Sequence, residues 1–121
     1  MKFSATIKRD YEFRRLYSKG KSAVTSPLVV YCRKNGRGYN QIGITVSTKV
    51  GKAVQRNKVR RRLREIYRLN EDKLIRGINV VIVARVKSRH VSYWDLERAY
   101  LSACEKLGIL LSGEKNEGER V

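Results

Sequence analysis

The sequence predicts an α+β domain with the order α-β-β-α-β-α, a two-layer sandwich of helices on a sheet. Three observations support this prediction: alternating apolar residues over 41–47, helical apolar spacing before and after that segment, and a nearly continuous apolar run over 78–85. A chain of 121 residues suits one domain with a modest core. We expect a single domain over 1–111 and a polar, disordered tail over 112–121.

The first helix is expected over residues 10–19. Phe13 and Tyr17 lie one helical turn apart, which is typical of the inward face of an amphipathic helix. Asp10 belongs to the residue types that cap helix N-termini, and Gly20 is typical of the position after a last turn. The segment therefore has a start signal, a periodic face and a stop signal.

Two strands should follow the first helix as an antiparallel hairpin. Residues 28–33 are rich in β-forming types, residues 35–38 are turn-forming, and residues 41–47 alternate cleanly. One face of the second strand is apolar, while the other is small and polar and includes Thr45 and Ser47. A small polar face on a sheet indicates a surface open to a ligand.

A basic helix is predicted over residues 54–70, with an apolar stripe that starts at Val59. Cationic side chains fall on the opposite face, and Glu65 is expected to lie to one side, leaving this ridge without a neutralising acid. Because the helix lies between the strands 41–47 and 78–85, it is the expected crossover element. The ridge consists of Asn57, Arg61, Arg64 and Arg68.

The remaining elements are a central strand and a last helix. Residues 78–85 are apolar almost throughout, as expected of a strand buried on both faces. Ser92 and Asp95 have the spacing of a capping box, and Gly108 lies near the expected end of the helix.

Positive charge dominates the sequence. From Phe13 to Arg64, fifty-two residues include no Asp or Glu and fifteen Lys or Arg, and the formal net charge of the chain is +17. Confining this charge costs folding free energy through self-repulsion, so a polyanionic partner is expected. Nucleic acid fits best, because each neutralised phosphate releases condensed counterions. A purely solubilising surface normally mixes both signs of charge.

The cysteines and the lone histidine do not suggest a metal site. Cys32 and Cys104 are far apart in the sequence and both lie among apolar residues, so we expect two buried free thiols in a cytosolic protein. His90 is the only histidine, which leaves no zinc-ligand pattern. No apolar run approaches the length of a membrane span, and the N-terminal residues do not resemble an export signal.

The sequence predicts binding rather than catalysis by the chain itself. Nucleases that work through side chains usually need clustered carboxylates or paired histidines, and the most basic half has neither. Gly51 and Lys52 lack the spacing of a phosphate-binding P-loop. The alternatives at this point are a ribosomal or rRNA-binding protein and, less favoured, a self-sufficient nuclease.

The segment 46–65 resembles the protein subunit of bacterial ribonuclease P. That family has a strand end, a glycine-containing turn and a basic helix known as the RNR motif. The resemblance extends over about residues 7–107, through an aromatic first helix, a strand with Tyr31 and a late strand that ends in Ala84 and Arg85. The motif positions present here are Gly51, Ala53, Val54, Arg56, Asn57, Lys58, Arg61 and Arg64.

The resemblance implies a fold and an activity. The fold would be a ribosomal-protein-like sandwich with a left-handed βαβ crossover that carries the basic helix, although right-handed crossovers are the general rule. The activity would belong to a ribonucleoprotein that removes the 5′ leader from precursor tRNA. Its RNA subunit would perform the hydrolysis with Mg²⁺, which that RNA would mainly bind, and the isolated protein would be inactive.

The resemblance also implies two sets of binding residues, with no metal ligand and no catalytic residue in the protein alone. Ribonuclease P RNA and the precursor tRNA leader are the implied partners, with no membrane or protein partner. RNA-subunit binding is assigned to Lys52, Arg56, Asn57, Lys58, Arg60, Arg61, Arg64 and Arg68. Leader binding is assigned to Phe13, Tyr17, Tyr31, Arg33, Thr45 and Ser47, with the aromatic residues stacking on unpaired bases.

Overall fold

A computed structural model describes residues 4–111. The helices of this part are α1 (Asp10–Lys19), α2 (Ala53–Asn70) and α3 (Tyr93–Leu107), and short 3₁₀ turns cover Thr48–Val50, Glu71–Lys73 and Val86–His90. The strands are β1 (Ser4–Thr6), β2 (Lys21–Val24), β3 (Leu28–Lys34), β4 (Asn40–Val46) and β5 (Ile78–Ala84). The predicted tail lies outside the described residues, and the domain limits stay a prediction.

The five strands form one sheet in the order β1-β4-β5-β3-β2. The predicted β3–β4 hairpin is wrong, because β5 lies between these strands, antiparallel to β3 and parallel to β4. β5 is the most apolar strand, and a central position buries both of its faces. The turn at residues 35–38 therefore joins two strands that are not neighbours.

Two short strands extend the sheet at its edges. β1 pairs in parallel with the first residues of β4, and β2 pairs antiparallel with β3. Neither strand was predicted, because three or four residues are too few to show the alternation of apolar and polar side chains. The remaining order, including the parallel β4-α2-β5 crossover and the central place of β5, is confirmed. The hand of that crossover stays a prediction.

The helices lie on both faces of the sheet. α2 and α3 pack with the apolar face of β4 and the alternate residues of β3 and β5 around the large core cluster. α1 packs on the opposite face, where Leu16 joins a small cluster with Ile7 and Val81. The expected helical layer on one face thus consists of α2 and α3, and α1 forms a third layer. Five fully buried members of the large core are Leu63, Ile66, Tyr67, Ile82 and Leu96.

The ends of α1 differ in detail from the prediction. Arg9 occupies the N-cap position without a side-chain cap, and Asp10 begins the helix itself. Gly20 is extended, with φ −81°, instead of left-handed. A Cβ at Gly20 would lie 2.7 Å from the Leu16 carbonyl oxygen and 2.9 Å from that of Cys32. Glycine is needed there for close backbone approach and not for an unusual φ.

Ser92 caps α3 as predicted, but the Asp95 carboxylate pairs with Arg98. The Ser92 hydroxyl accepts a hydrogen bond from the Asp95 backbone N–H at 3.0 Å, and Gly108 adopts the left-handed conformation with φ 72°. The helix begins and ends at residues that the sequence marked.

Both cysteines are free and buried, as predicted. Burial raises the pKa of the Cys104 thiol to about 12, and burial also raises the pKa of Cys32. These thiols are protonated at neutral pH and act as small apolar side chains. Residues 4–111 contain no group of three or more His, Cys, Asp or Glu that could hold a metal ion. Within the same range, no helix is both long and apolar enough for a membrane span.

Candidate nucleic-acid interface

The strand register arranges the α1 face of the sheet in three rows. The row under α1 contains Gly43, Val81 and Tyr31, on the adjacent strands β4, β5 and β3. Beyond one flank of α1 lies a row of Thr45, Val83 and Val29, and beyond the other lies a polar row of Gln41, Asn79 and Arg33. α1 therefore divides this face into two separate surfaces.

Phe13 holds α1 against the sheet. Its ring contacts the backbone of Gly43 so closely that a Cβ built there would lie 2.6 Å from Phe13 Cε1. The ring packs with Ile7, Leu16 and Val81 and is half-buried. Phe13 thus belongs to the apolar contact of α1 with the sheet, although it also borders a cavity described below.

An aromatic groove lies on the Thr45 side of α1. The rings of Tyr17 and Tyr31 meet edge to face with their centroids 5.0 Å apart. The Tyr17 and Thr45 hydroxyls form a 3.0 Å hydrogen bond, and Tyr17 is 41% exposed. The structure therefore brings together three of the six predicted leader residues, the exposed Tyr17 and the half-buried Tyr31 and Thr45. This aromatic groove, formed by Tyr17, Tyr31 and Thr45, could stack on unpaired bases.

Ser47 and Arg33 lie apart from the aromatic groove. Ser47 follows β4 and is exposed, and its hydroxyl accepts a 3.3 Å hydrogen bond from the Lys49 backbone N–H at the start of a 3₁₀ turn. Arg33 lies in the polar row, across α1 from Thr45. The resemblance assigned both residues to the leader set, and β-strand alternation gives only the face on which a residue lies, not what lies across that face.

The cationic helix α2 is anchored by its apolar stripe. Val59, Leu63, Ile66 and Tyr67 are buried against the sheet, so the remaining sides of the helix point outward. At the N-terminus, the Lys52 backbone N–H donates to Gln55 Oε1 at 2.9 Å. Among the predicted RNA-subunit residues, the exposed ones are Lys52, Asn57, Lys58, Arg61, Arg64 and Arg68, and the half-buried ones are Arg56 and Arg60.

Three of these polar side chains are held by local hydrogen bonds. The Arg56 guanidinium donates to the Gly51 carbonyl oxygen at 3.2 Å, and Arg60 donates to Asn57 Oδ1 at 3.0 Å. These bonds orient the first two turns of α2, where the glycine-containing turn meets the helix. The side chains are thus partly ordered before a ligand binds, which reduces the entropy lost on binding.

Arg68 departs from the prediction that the cationic ridge has no neutralising acid. Its guanidinium donates two hydrogen bonds to the Glu65 carboxylate, at 3.0 and 2.7 Å. These bonds hold the pKa of Glu65 below its ordinary value. Glu65 lies about 60° from Arg68 around the helix, since i and i+3 residues are neighbours, and a long arginine spans that gap. Arg68 is the least available cation of the predicted ridge.

One flank of α2 faces the α1 side of the molecule. Arg60 and Arg64 line a cavity of about 140 Å³ together with Phe13 and Gly43. The cavity adjoins β4 just beyond the residues that β1 covers, since β1 pairs only as far as Ile42. Two residues predicted to bind the RNA subunit therefore border the residue that attaches α1 to the sheet.

The other flank of α2 forms a second basic cluster. Lys58 and Arg62 lie one turn apart and line a hollow of about 220 Å³ with Arg89 and His90 from the turn after β5. Arg89 is fixed by donating to Gln55 Oε1 at 2.8 Å and to His90 Nε2 at 3.1 Å. The predicted RNA-subunit set did not include Arg62, Arg89 or His90. The i, i+4 spacing of Lys58 and Arg62 could have indicated the first, but no local pattern indicated the two loop residues.

The comparisons with known proteins match ribonuclease P proteins. The family model described as Ribonuclease P matches residues 1–108 of this chain. The ribonuclease P protein component of Clostridioides difficile strain 630 is 41% identical over 112 residues, covering 90% of this chain and 98% of that protein. The corresponding component of Clostridium botulinum strain 657 is 45% identical over 104 residues, covering 85% and 94% respectively.

Solved structures of RNase P proteins have the same fold as this chain. The RNase P protein of Staphylococcus aureus superimposes with a TM-score of 0.80 at 26% identity, covering 87% of this chain and 96% of that chain. The RNase P protein of Thermotoga maritima gives a TM-score of 0.69 at 36% identity, covering 78% and 87%.

Proposed function

The chain belongs to the bacterial ribonuclease P protein family, and we propose that its aromatic groove binds the precursor tRNA leader while α2 binds the RNA subunit. Members of this family are the protein component of an endoribonuclease that acts in tRNA 5′ processing. The RNA-binding function expected from the charge is thus confirmed, and the ribosomal-protein alternative is not favoured. The single observation that carries the proposal is that the sheet separates the aromatic groove, on the α1 face, from the exposed cations of α2, which packs on the opposite face.

The aromatic groove suits unpaired bases. Stacking on Tyr17 or Tyr31 needs only a flat face, which every base offers, so this surface tolerates leaders of different sequence. Thr45 adds a hydroxyl that can donate to a phosphate oxygen, and Ser47, beyond the end of β4, offers a second one outside the groove. Mature tRNA, which lacks the leader, would leave these groups unused.

The exposed cations of α2 suit a folded RNA backbone. Lys58, Arg61 and Arg64 are exposed and form no ion pair with any of residues 4–111, so they can approach phosphates and release counterions. The Lys58 flank extends to Arg62 and Arg89, which widens the proposed contact with the RNA subunit. Arg60 and Arg64 lie at the border with Phe13, so we propose that both RNAs approach each other there.

Hydrolysis is assigned to the RNA subunit. Mg²⁺ would be held mainly by that RNA, and no residue among 4–111 is proposed as a ligand, since the described His, Cys, Asp and Glu form no suitable cluster. The chain contributes positive charge and orientation, so the protein alone should not cleave precursor tRNA. A reducing, cytosolic location is also proposed, because Cys32 and Cys104 are both free thiols.

The test is Tyr31→Ala in the reconstituted holoenzyme. We expect precursor tRNA affinity to fall by about 1–3 kcal/mol, the scale of one base stack, with mature tRNA affinity nearly unchanged. Tyr31→Phe keeps the ring and should retain the affinity. Trp94→Ala removes an aromatic that is 66% exposed on α3 and serves as the matched control. An equal loss for both RNAs, in a variant shown by thermal melting to be folded, would refute the groove assignment.

A further inference from the structure

A polar cavity lies across α1 from the aromatic groove. Its volume is about 310 Å³, which is within the range of small-ligand pockets. Residues from the first two turns of α1 form one wall, and the polar row of the sheet forms the floor. We call it the Arg33 cavity; it is lined by Tyr11, Arg15, Arg33, Arg37, Gln41 and Asn79, among others.

Two side chains that line the Arg33 cavity have buried atoms without a partner. The Nη1 of Arg33 and the Oε1 of Gln41 are both inaccessible to solvent and form no hydrogen bond with any of residues 4–111. Gln41 is only 9% exposed. An unpaired buried donor or acceptor normally costs stability, and such groups are rare in folded proteins. Because both side chains line one cavity, a ligand that carries an acceptor and a donor could satisfy these two atoms after a small turn of each side chain.

The charge of the cavity restricts the ligand further. Arg15, Arg33, Lys34 and Arg37 all line it, against the single carboxylate of Glu12. This excess of cations favours an anion, and a guanidinium fits a phosphate group with two parallel hydrogen bonds. A bare phosphate would leave the Gln41 acceptor unmet, because that oxygen needs a donor.

An aromatic ring and an ordered loop complete the cavity. Tyr11 is 48% exposed, and the Arg15 guanidinium lies 6.0 Å from the centre of its ring. On the loop side, Asn35 Nδ2 donates to Asn79 Oδ1 at 2.9 Å and to the Tyr39 carbonyl at 3.1 Å. Arg37 donates to the Tyr39 hydroxyl at 2.8 Å. These bonds fix the walls in place before a ligand enters.

We propose that the Arg33 cavity binds one nucleotide of single-stranded RNA, separately from the aromatic groove. Its phosphate binds Arg33, and a donor of the sugar or base, a 2′-hydroxyl or an exocyclic amine, binds Gln41 Oε1. The inference rests on the proposed function, since leader RNA would be the source of the nucleotide. It assigns Arg33 to a second site beyond α1, which lengthens the stretch of RNA that the protein contacts.

The experiment measures affinity and side-chain NMR signals in the full-length protein, with a single-stranded oligoribonucleotide as the probe. Arg33→Met should weaken binding by about tenfold, the scale of a lost charged hydrogen bond, and Gln41→Leu should weaken it less. Arg98→Met, which removes one cation from the opposite layer of the molecule, is the matched control and should have little effect. In the wild type, RNA should shift the Arg33 Nε–H and Gln41 amide signals together.

The outcomes separate this proposal from the proposed function. Loss of affinity with Tyr31→Ala but none with Arg33→Met, and no shift of the Arg33 signal, would overturn the cavity proposal and leave the aromatic groove intact. No loss with Tyr31→Ala would count against the aromatic groove alone. Inorganic phosphate at matched ionic strength should shift Arg33 without Gln41. If phosphate shifts Arg33 while RNA does not, the site is a simple anion site and the proposal is wrong.

Thermal melting shows whether the Arg33→Met protein is folded. If it is not, the affinity of Gln41→Leu for the oligoribonucleotide and the NMR shifts of the wild type test the proposal.

Discussion

The two faces of the sheet serve opposite purposes. The face under α2 and α3 is closed by the large core cluster, whose members include Leu63, Tyr67 and Tyr100, all with no exposure. The face under α1 has a small cluster of Ile7, Leu16 and Val81, flanked on each side by polar surface. The first face buries most of the apolar side chains, and the second leaves polar surface of the sheet accessible on both sides of α1.

On the α2 face, different residues contribute to stability and to binding, whereas on the α1 face the same residues contribute to both. On α2, the apolar stripe packs inward while the cations point outward, so a change to one need not affect the other. On α1, Phe13 both anchors the helix and borders a cavity with Arg60 and Arg64. Substitutions on the two faces should therefore give different combinations of melting and binding defects.

The largest expected effect is that of Leu63→Ala on the closed face. Leu63 is fully buried, so removing its side chain should leave a cavity and lower the free energy of unfolding by about 2–5 kcal/mol. Val29→Ala, at a half-buried position on the α1 face, should cost much less. Urea unfolding of both variants measures the difference. Equal losses would mean that the two faces contribute alike to stability.

Gly43→Ala tests the contact that holds α1 on the open face. The new methyl would overlap the Phe13 ring, whose nearest atoms lie 2.6 and 2.7 Å from the built Cβ. Displacing the ring should lower the free energy of unfolding by about 1–3 kcal/mol and weaken leader binding in the holoenzyme. Gly38→Ala is the matched control, because nothing lies within 4 Å of its built Cβ. A stable, fully active Gly43→Ala protein would show that α1 is not fixed by this contact.

Removing outward cations of α2 should affect binding without affecting folding. For the double variant Lys58→Ala with Arg61→Ala, we expect unchanged thermal melting and a weaker, less salt-dependent association with the RNA subunit. Losing two phosphate contacts should reduce the slope of log K against log salt by about 1.4–1.8.

The control for this experiment is Arg98→Ala with Lys106→Ala on α3, which lowers the net charge by the same amount. Similar slopes for the two double variants would show that total charge, and not the α2 surface, governs assembly.

The smallest expected effect is stabilisation by sulfate, because multivalent anions bind the native cationic surfaces preferentially. At constant ionic strength, sulfate should raise the free energy of unfolding over chloride by about 1 kcal/mol or less, as for binding near the dissociation constant. Arg33→Met and the Lys58/Arg61 double variant then show which face binds the anion. Identical melting midpoints in the two salts would show that sulfate does not bind the native protein preferentially.

Local patterns predicted the helices closely. The basic helix expected over 54–70 is Ala53–Asn70, the first helix coincides with Asp10–Lys19, and Ser92 and Gly108 cap α3 as expected. Helix periodicity and capping depend on residues a few positions apart, so they can be read from the chain directly. The RNR motif belongs to the same class, because its turn and helix are contiguous.

The sheet was predicted less completely for a related reason. The apolar character of residues 78–84 indicated a central strand, but not which strands lie beside it. The order of the strands depends on burying both faces of β5. That burial involves the whole sheet, so no single segment of the sequence indicates it. The short strands β1 and β2 are defined by their partners β4 and β3, and they had no pattern of their own.

The sequence by itself determined the three helices, the three longer strands, the positive surface and the motif that indicates the family. These features depend on residue type and short-range spacing, which folding does not alter. Only the tertiary structure decided that α1 lies across the sheet from α2, which places Tyr17 beside Thr45 and leaves Arg33 beyond the helix with Gln41. It also brought Arg89, from the turn after β5, to Lys58 on α2. Such contacts arise because each layer buries its apolar face, and that burial sets which distant polar side chains become neighbours.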